Sequence, residues 1–161
     1  MQTIEQELAH HPFFDGLDPR FVGLIAGCGS NVQFEQDADI FREGEPADRF
    51  YVIRHGRVAL ETAAPHSGRL VIETIEAGEV LGWSWLFPPY RWHFSGRALE
   101  PVRAVALDGA CLREKCERDH DLGYAMMQRF AAIIVERLHA TRLQLLDLYA
   151  SPAQGGKGGV R

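Results

Sequence analysis

Six aromatic rings lie within a dozen residues at Trp83, Trp85, Phe87, Tyr90, Trp92 and Phe94, interleaved with Gly82, Ser84, Arg91 and His93. Rings at this density do one of two things. They pack against one another as core, which dense aromatics usually do. Otherwise they line a flat, mostly apolar slot for an aromatic ligand, with Arg91, Arg97 or His93 at its mouth. The backbone N–H groups of Gly82, Trp83 and Ser84, at the start of a short helix, would favour an anion without help from any side chain. The candidate ligand-binding set is therefore Gly82, Trp83, Ser84, Arg91, Trp92 and His93.

Other chemistry finds less footing. Seven histidines are scattered along the chain. His55 falls in a turn, His66 in the loop APHSG, and His10, His11 and His139 on helical surfaces. None forms the HxH pair with a following Glu that a metal-binding jelly roll would use. Cys116 and His120 are four residues apart, but a helix boundary near Asp119 separates them, and two ligands do not complete a metal site. Three cysteines give no disulfide framework or zinc pattern. Cys111 and Cys116 would point apart on their helix, and Cys111 reads as a small core residue. No GxSxG, P-loop or GxGxxG motif occurs. Neither an enzyme, nor a metal, nor a cofactor is expected.

The elements that must position these residues follow from patterning. The chain has 161 residues, 46% of them hydrophobic, with 17 basic and 22 acidic side chains for a net charge of -5, which describes one ordinary soluble domain. Residues 1–30 read as short helices. The first carries Ile4 and Leu8 and stops at Pro12; the second starts at Asp18 as N-cap with Pro19 at its first position, and ends at Gly27 or Gly29 in a left-handed stop. Residues 31–107 read as strands at 31–34, 39–41, 49–54, 57–62 and 69–75, with two more across 94–107 and a tight turn at His55-Gly56. That spacing fits a small barrel or an antiparallel jelly roll. From Asp108 a helix runs to about Glu117, and a second from about Asp119 to Tyr149. Its positions Met127, Phe130, Ile134, Leu138, Thr141, Leu145 and Leu148 step by three and four and line one stripe, about 45 Å long at ~1.5 Å per residue. So long a stripe exceeds what one barrel covers, which points to a homodimer through this helix. The Gly-rich residues 151–161 read as a disordered tail after a domain of residues 1–150.

The stretch IFREGEPADRFYVIRHGRVALE, with Gly44, Asp48, Phe50, Tyr51 and Gly56 at turn and strand positions, and HPFFDGLDPRFVGLIAGC ahead of it, resemble the cyclic-nucleotide-binding domain of Crp-Fnr transcription regulators, kinase regulatory subunits and gated channels. The resemblance covers about residues 10–150 and implies an α+β fold: a double-stranded β-helix flanked by short N-terminal helices and a long C-terminal helix. It places AGEVLGWSWLF at the phosphate-binding cassette. In that family a Gly-Glu pair opens a short helix, the Glu accepts from the ribose hydroxyl, and an Arg nine or ten residues later pairs with the cyclic phosphate. Here Gly82 keeps its place, Trp83 stands at the Glu position and Trp92 at the Arg position, with Arg91 one residue away. A charge-assisted phosphate contact is worth about 1.5–3 kcal/mol, so losing both anchors costs several decades of cAMP affinity unless the loop PPYRW slips by one residue and turns Arg91 inward.

The expected function is a stand-alone sensory or regulatory module that does not take cAMP in the usual way. Ligand occupancy would move a hinge at residues 117–123, with Gly123 as a soft spot. The alternative is a ligand-independent accessory subunit of an enzyme complex, docking through its aromatic loop or helix stripe. A Crp-Fnr regulator adds a winged helix-turn-helix after the dimer helix, and eleven residues follow Ala150, so DNA binding in that manner is not expected. No secretion signal or membrane span is read, and a cytoplasmic location is expected.

Overall fold

The computed structural model describes residues 1–66 and 68–155, with burial described up to residue 150. Helices α1 (Ile4–Ala9) and α2 (Pro19–Ala26) lead into strands β1 (Gly29–Phe34), β2 (Asp39–Phe41), β3 (Arg49–His55), β4 (Arg57–Ala64), β5 (Gly68–Glu76), β6 (Val80–Leu81), β7 (Ser95–Ala98) and β8 (Val102–Asp108). Helices α3 (Gly109–Arg118) and α4 (His120–Gly155) follow, and 3₁₀ turns occupy Pro12–Phe14 and Ser84–Leu86. The strands form two four-stranded antiparallel sheets, ordered β1-β8-β3-β6 and β2-β7-β4-β5. This is the antiparallel roll, flanked by short N-terminal helices and a long C-terminal one, that the sequence predicts. β6, only two residues long, is the one strand absent from the sequence reading, which took the cassette as loop and short helix.

Strand alternation explains the layering, because successive side chains of a strand face opposite ways. In β3, Tyr51 and Ile53 face the second sheet, whereas Phe50 and Val52 face the helices. In β8, Val102, Ala104 and Ala106 take the inter-sheet side, and Val105 and Leu107 the helical side. The first sheet is thus covered on both faces, and two cores share one wall. The turn from β3 to β4 needs Gly56, whose φ is 93° and whose added Cβ would lie 2.4 Å from the Pro101 carbonyl oxygen.

Helix starts match expectation, with Asp18 accepting from Arg20 N–H at 2.9 Å and Asp108 from Cys111 N–H at 2.8 Å. The end of α2 does not. Gly27 is right-handed at φ -63°, and Gly29 is not among the positive-φ glycines. Instead Cys28 N–H closes on Ile25 O at 2.9 Å, and Lys115 Nζ donates to Leu24 O at 2.6 Å, so a side chain from α3 satisfies the carbonyl that a left-handed glycine would have freed the chain to reach. The boundary expected at residue 150 falls inside α4, which is continuous to Gly155; the rest of the expected tail, residues 156–161, lies outside the described residues.

Two further expectations are corrected. Cys28 and Cys111 form a disulfide, their Cα atoms 5.8 Å apart and 83 residues apart in sequence. β1 pairs with β8 in a register that sets Gly29 opposite Leu107, bringing the residue before one strand beside the helix that follows the other. Phe130 does not share the outer stripe of α4. It is fully buried, with ring centroids 5.1 to 5.2 Å from Phe13, Phe50 and Trp85. The inward face is Leu122, Met126, Phe130, Ile133 and Arg137, all buried. A step of three residues turns a helix by about 60° from its start, enough to move Phe130 off the line of Met127 and onto the barrel. The other stripe positions do face outward: Met127, Leu138, Leu145 and Leu148 are exposed, as is Thr141, and Ile134 is half-buried. Among the described residues no helix is long and apolar enough to cross a membrane.

His11 is buried rather than on a helical surface. Its Nδ1 accepts from Phe13 N–H at 3.2 Å, which leaves Nε2 to donate to Ile53 O at 3.0 Å, a neutral imidazole bridging two elements. Burial lowers its pKa below 6.5. The unfolded chain therefore takes up a proton in a window where the folded chain refuses it, so this contribution is complete above 6.5 and is lost as pH falls below it. Thermal melts from about pH 8 to about pH 5.5 should show the midpoint falling through that window in the parent and a flatter profile in His11→Gln.

Candidate functional site

The cassette begins where β6 ends. Gly82 has φ 104°, and a Cβ there would meet the Trp92 ring at 2.7 Å, so glycine is required both by conformation and by the indole beneath it. Trp83 follows, then the Ser84–Leu86 turn, then a loop that returns to β7. The loop is pinned to the segment before β3: Trp92 N–H donates to Glu45 O at 2.9 Å, Gly44 N–H to Trp92 O at 2.8 Å, and Ala47 N–H to Tyr90 O at 2.7 Å. These bonds fix which side chain enters the barrel.

It is Trp92 that enters. Its ring, 6% exposed, stacks on Phe41 at 3.7 Å and 11°, and Phe41 in turn is stacked parallel to Tyr51. Arg91 points outward and Nη1 donates to Gly44 O at 2.9 Å, so the one-residue slip that would bring its guanidinium inward has not occurred. Trp83 is half-buried and stacks on His93 at 4.4 Å, while His93 Nδ1 lies 2.9 Å from the buried Ser84 hydroxyl. Five of the six candidate residues, all but Arg91, therefore line one place. The space left among Phe41, Leu60, Gly82, Trp83, Ser84, Trp92, His93, Phe94 and Arg137 is about 10 Å³. A single water needs about that much.

Four of the six rings divide between the two cores, Trp83 and Trp85 on one and Trp92 and Phe94 on the other. Trp85, fully buried, stacks on Phe50 at 4.8 Å on the helical side of the first sheet, whereas Trp92 fills the inter-sheet side. Phe87, Tyr90 and Phe94 are half-buried. Tyr90 lies under the Arg113 guanidinium at 4.1 Å. Arg97, the other cation considered at the mouth, instead meets Glu61, with Nε 3.0 Å from Oε1; that hydrogen bond raises the Arg97 pKa. Larger hollows exist, one of about 740 Å³ beside the end of β1 and the start of β8, but it is an open groove of surface residues such as Gln33, Glu35 and Arg103.

Arg137 belongs to the site and was not singled out in the sequence. It is 4% exposed, its Nη1 2.7 Å from Glu73 Oε2 and its Nη2 donating to Val80 O at 3.3 Å. The signal was available: a cation at a position continuing the series 122, 126, 130, 133 must reach something polar under the helix. Cys116 and His120 lie on α3 and α4, on either side of the break at Asp119, and burial pushes the Cys116 thiol up to about 11. No group of three or more His, Cys, Asp or Glu among the described residues is placed to hold a metal. The hinge expected at residues 117–123 coincides with that break. Gly123 has a packing role there: its added Cβ would lie 3.0 Å from Cys116 O, so glycine lets α3 and α4 approach.

Comparison with known proteins agrees with this architecture. The cyclic nucleotide-binding domain family matches residues 31–119. A CRP-like cAMP-activated global transcriptional regulator of Mycobacterium tuberculosis is 25% identical over 152 residues, covering 94% of this chain and 66% of the regulator's length. A crystal structure from Geobacter metallireducens GS-15, of a protein ascribed to cyclic nucleotide binding, aligns with TM-score 0.75 and 31% identity over 86% of this chain and 100% of that one. A cyclic nucleotide-binding domain from Methylobacillus flagellatus shares the fold, with TM-score 0.76 at 18% identity over 88% of this chain and 82% of that one. The matched family, the full-length structural relative and the roll of eight strands together establish that this chain belongs to the cyclic nucleotide-binding domain family.

Proposed function

We propose that this chain is a regulatory module of the cyclic nucleotide-binding fold whose own indoles take the ligand's place, so that it does not capture cAMP as its relatives do. The observation that carries this reading is Trp92, stacked on Phe41 and closing the cavity to about 10 Å³. Small-molecule sites usually offer roughly 300–1,000 Å³. The polar side of the site is equally unsuited. Trp83 cannot accept from a ribose hydroxyl, and Arg137, the cation on the rim, is already neutralised by Glu73. The module works as a homodimer in the cytoplasm, assembled through the outer face of α4, where Met127, Leu138, Leu145 and Leu148 are exposed on one side of a single helix. The accessory-subunit reading draws on that same stripe; its other basis, exposed loop rings, is weakened by the burial of Trp92 and the partial cover of Tyr90.

Scanning fluorimetry with cAMP and cGMP tests the pocket. A ligand at 100 times its Kd adds about 2.7 kcal/mol, so millimolar nucleotide should leave the midpoint unmoved, whereas micromolar capture abolished by Arg91→Ala overturns the reading. Trp92→Ala should lower stability by about 3–5 kcal/mol in urea titrations, as expected for an indole that is structural. Leu138→Glu should convert the dimer to a monomer in sedimentation while leaving the barrel's melting midpoint nearly unchanged.

A further inference from the structure

The Cys28–Cys111 bond joins the α2–β1 junction to the first turn of α3, and α3 is the element that touches both the cassette and the long helix. On the cassette side, Arg113 Nη1 donates to Trp85 O, and the Gly109 Cβ position lies 3.0 Å from Trp85 Cβ. On the other side, the Gly123 backbone of α4 is packed close against Cys116 O. We propose that this bond is a reversible thiol–disulfide switch that sets how tightly α3, and with it the first turns of α4, is held to the barrel. The proposal does not rest on the pocket reading, since the bond acts on α3 whatever fills the cavity.

Three features favour a switch over a fixed staple. Cys111 is only partly buried while Cys28 is 9% exposed, so one sulfur of the pair belongs to a residue that solvent reaches in part. The other contacts of α3 survive without the bond: Asp108 N–H to Cys28 O at 3.0 Å, Lys115 Nζ to Leu24 O at 2.6 Å, and the fully buried Leu112. Reduction therefore loosens α3 without dismantling the fold. Finally, Cys116 does not compete, because a thiol held at about 11 is almost all protonated near neutral pH and attacks disulfides poorly. A chain that folds with or without the bond can respond to the redox state of its compartment, and in a reducing one disulfides are chiefly of this transient kind.

The chemistry is ordinary exchange with a dithiol reductant. One of its thiolates attacks Cys111 Sγ, the Sγ–Sγ bond breaks, and Cys28 leaves as a thiolate and takes a proton. The reductant's second thiol then displaces Cys111 from the mixed disulfide, giving up its own proton to leave a second protein thiol. Two electrons and two protons pass to the protein, and the reductant ends as a disulfide.

The test uses the full chain purified in air and then treated with dithiothreitol. Alkylation after denaturation should label Cys116 alone before reduction and all three cysteines after it, reversibly on reoxidation. Reduction should lower the melting midpoint by about 5–15 °C and raise amide exchange across residues 109–126 by tenfold or more, with β3 and β8 protected. Cys28→Ser and Cys111→Ser should reproduce the reduced pattern, and Cys116→Ser should not. Three free thiols in the air-purified chain overturn the proposal. So does a bond whose reduction leaves exchange in 109–126 unchanged, a reading on the parent chain that stands even if a serine variant fails to fold.

Discussion

The arrangement of the site depends on one alternation: Trp92 faces into the barrel and Arg91 faces out. Three backbone hydrogen bonds between the 90–92 loop and the 44–47 loop hold that register, and sliding by one residue would exchange the two side chains. The inward position is an apolar one, bounded by Phe41, Leu60 and the Gly82 backbone. An indole of 150–250 Å² buried there contributes roughly 4–6 kcal/mol at ~25 cal/mol/Å². A guanidinium in the same place would lose its hydration and need an anion to offset the cost. With tryptophan the inward position is taken by an apolar side chain of the chain's own, stacked on Phe41.

The long helix obeys a second constraint, that of having two apolar faces. As far as Arg137 the inner face is buried; from residue 138 to residue 150 no position is buried. That leaves about 20 Å of helix at ~1.5 Å per residue beyond the barrel, carrying Leu138, Leu143, Leu145, Leu146, Leu148 and Tyr149, all at least half exposed. An isolated helix has no means of covering such residues, whereas a second copy placed about a two-fold axis covers both stripes at once.

Much of this was legible in the chain. Strand spacing, the turn at Gly56, the caps Asp18 and Asp108 and the order of helices all follow from local patterning, and local patterning is what a single sequence displays best. What escaped is what only topology creates. Phe130 belongs to the same three-and-four series as Met127, and periodicity alone does not say which of two adjacent apolar faces meets the barrel. Cys28 and Cys111 become neighbours only because β1 and β8 pair, and an odd count of cysteines conceals a bonded couple. His11 is drawn inward by Ile53 O, 42 residues away. That two indoles, Trp83 and Trp92, lie in the segment between β6 and β7 could be read from the sequence. Which indole would fill the pocket could not, because that is decided by the hydrogen bonds of a distant loop.

The inner face of α4 also determines what the outer face can meet. Phe130 is wedged among Phe13, Phe50 and Trp85, and seven residues later Arg137 is tied to Glu73 and Val80 O. Seven residues are close to two full turns, so both anchors lie on nearly the same side, about 10 Å apart along the axis. One anchor is apolar and tolerant of small rotations. The other is a directional charge pair that is not: turning the helix by a single residue, about 100°, would pull the guanidinium out from under the barrel and leave Glu73 without it. A buried pair of this kind adds little net stability, but it selects one setting among several that apolar packing alone would allow. The azimuth of α4, and therefore the direction in which the exposed Met127, Leu138 and Leu145 point, is fixed by a contact about 80° round the same helix.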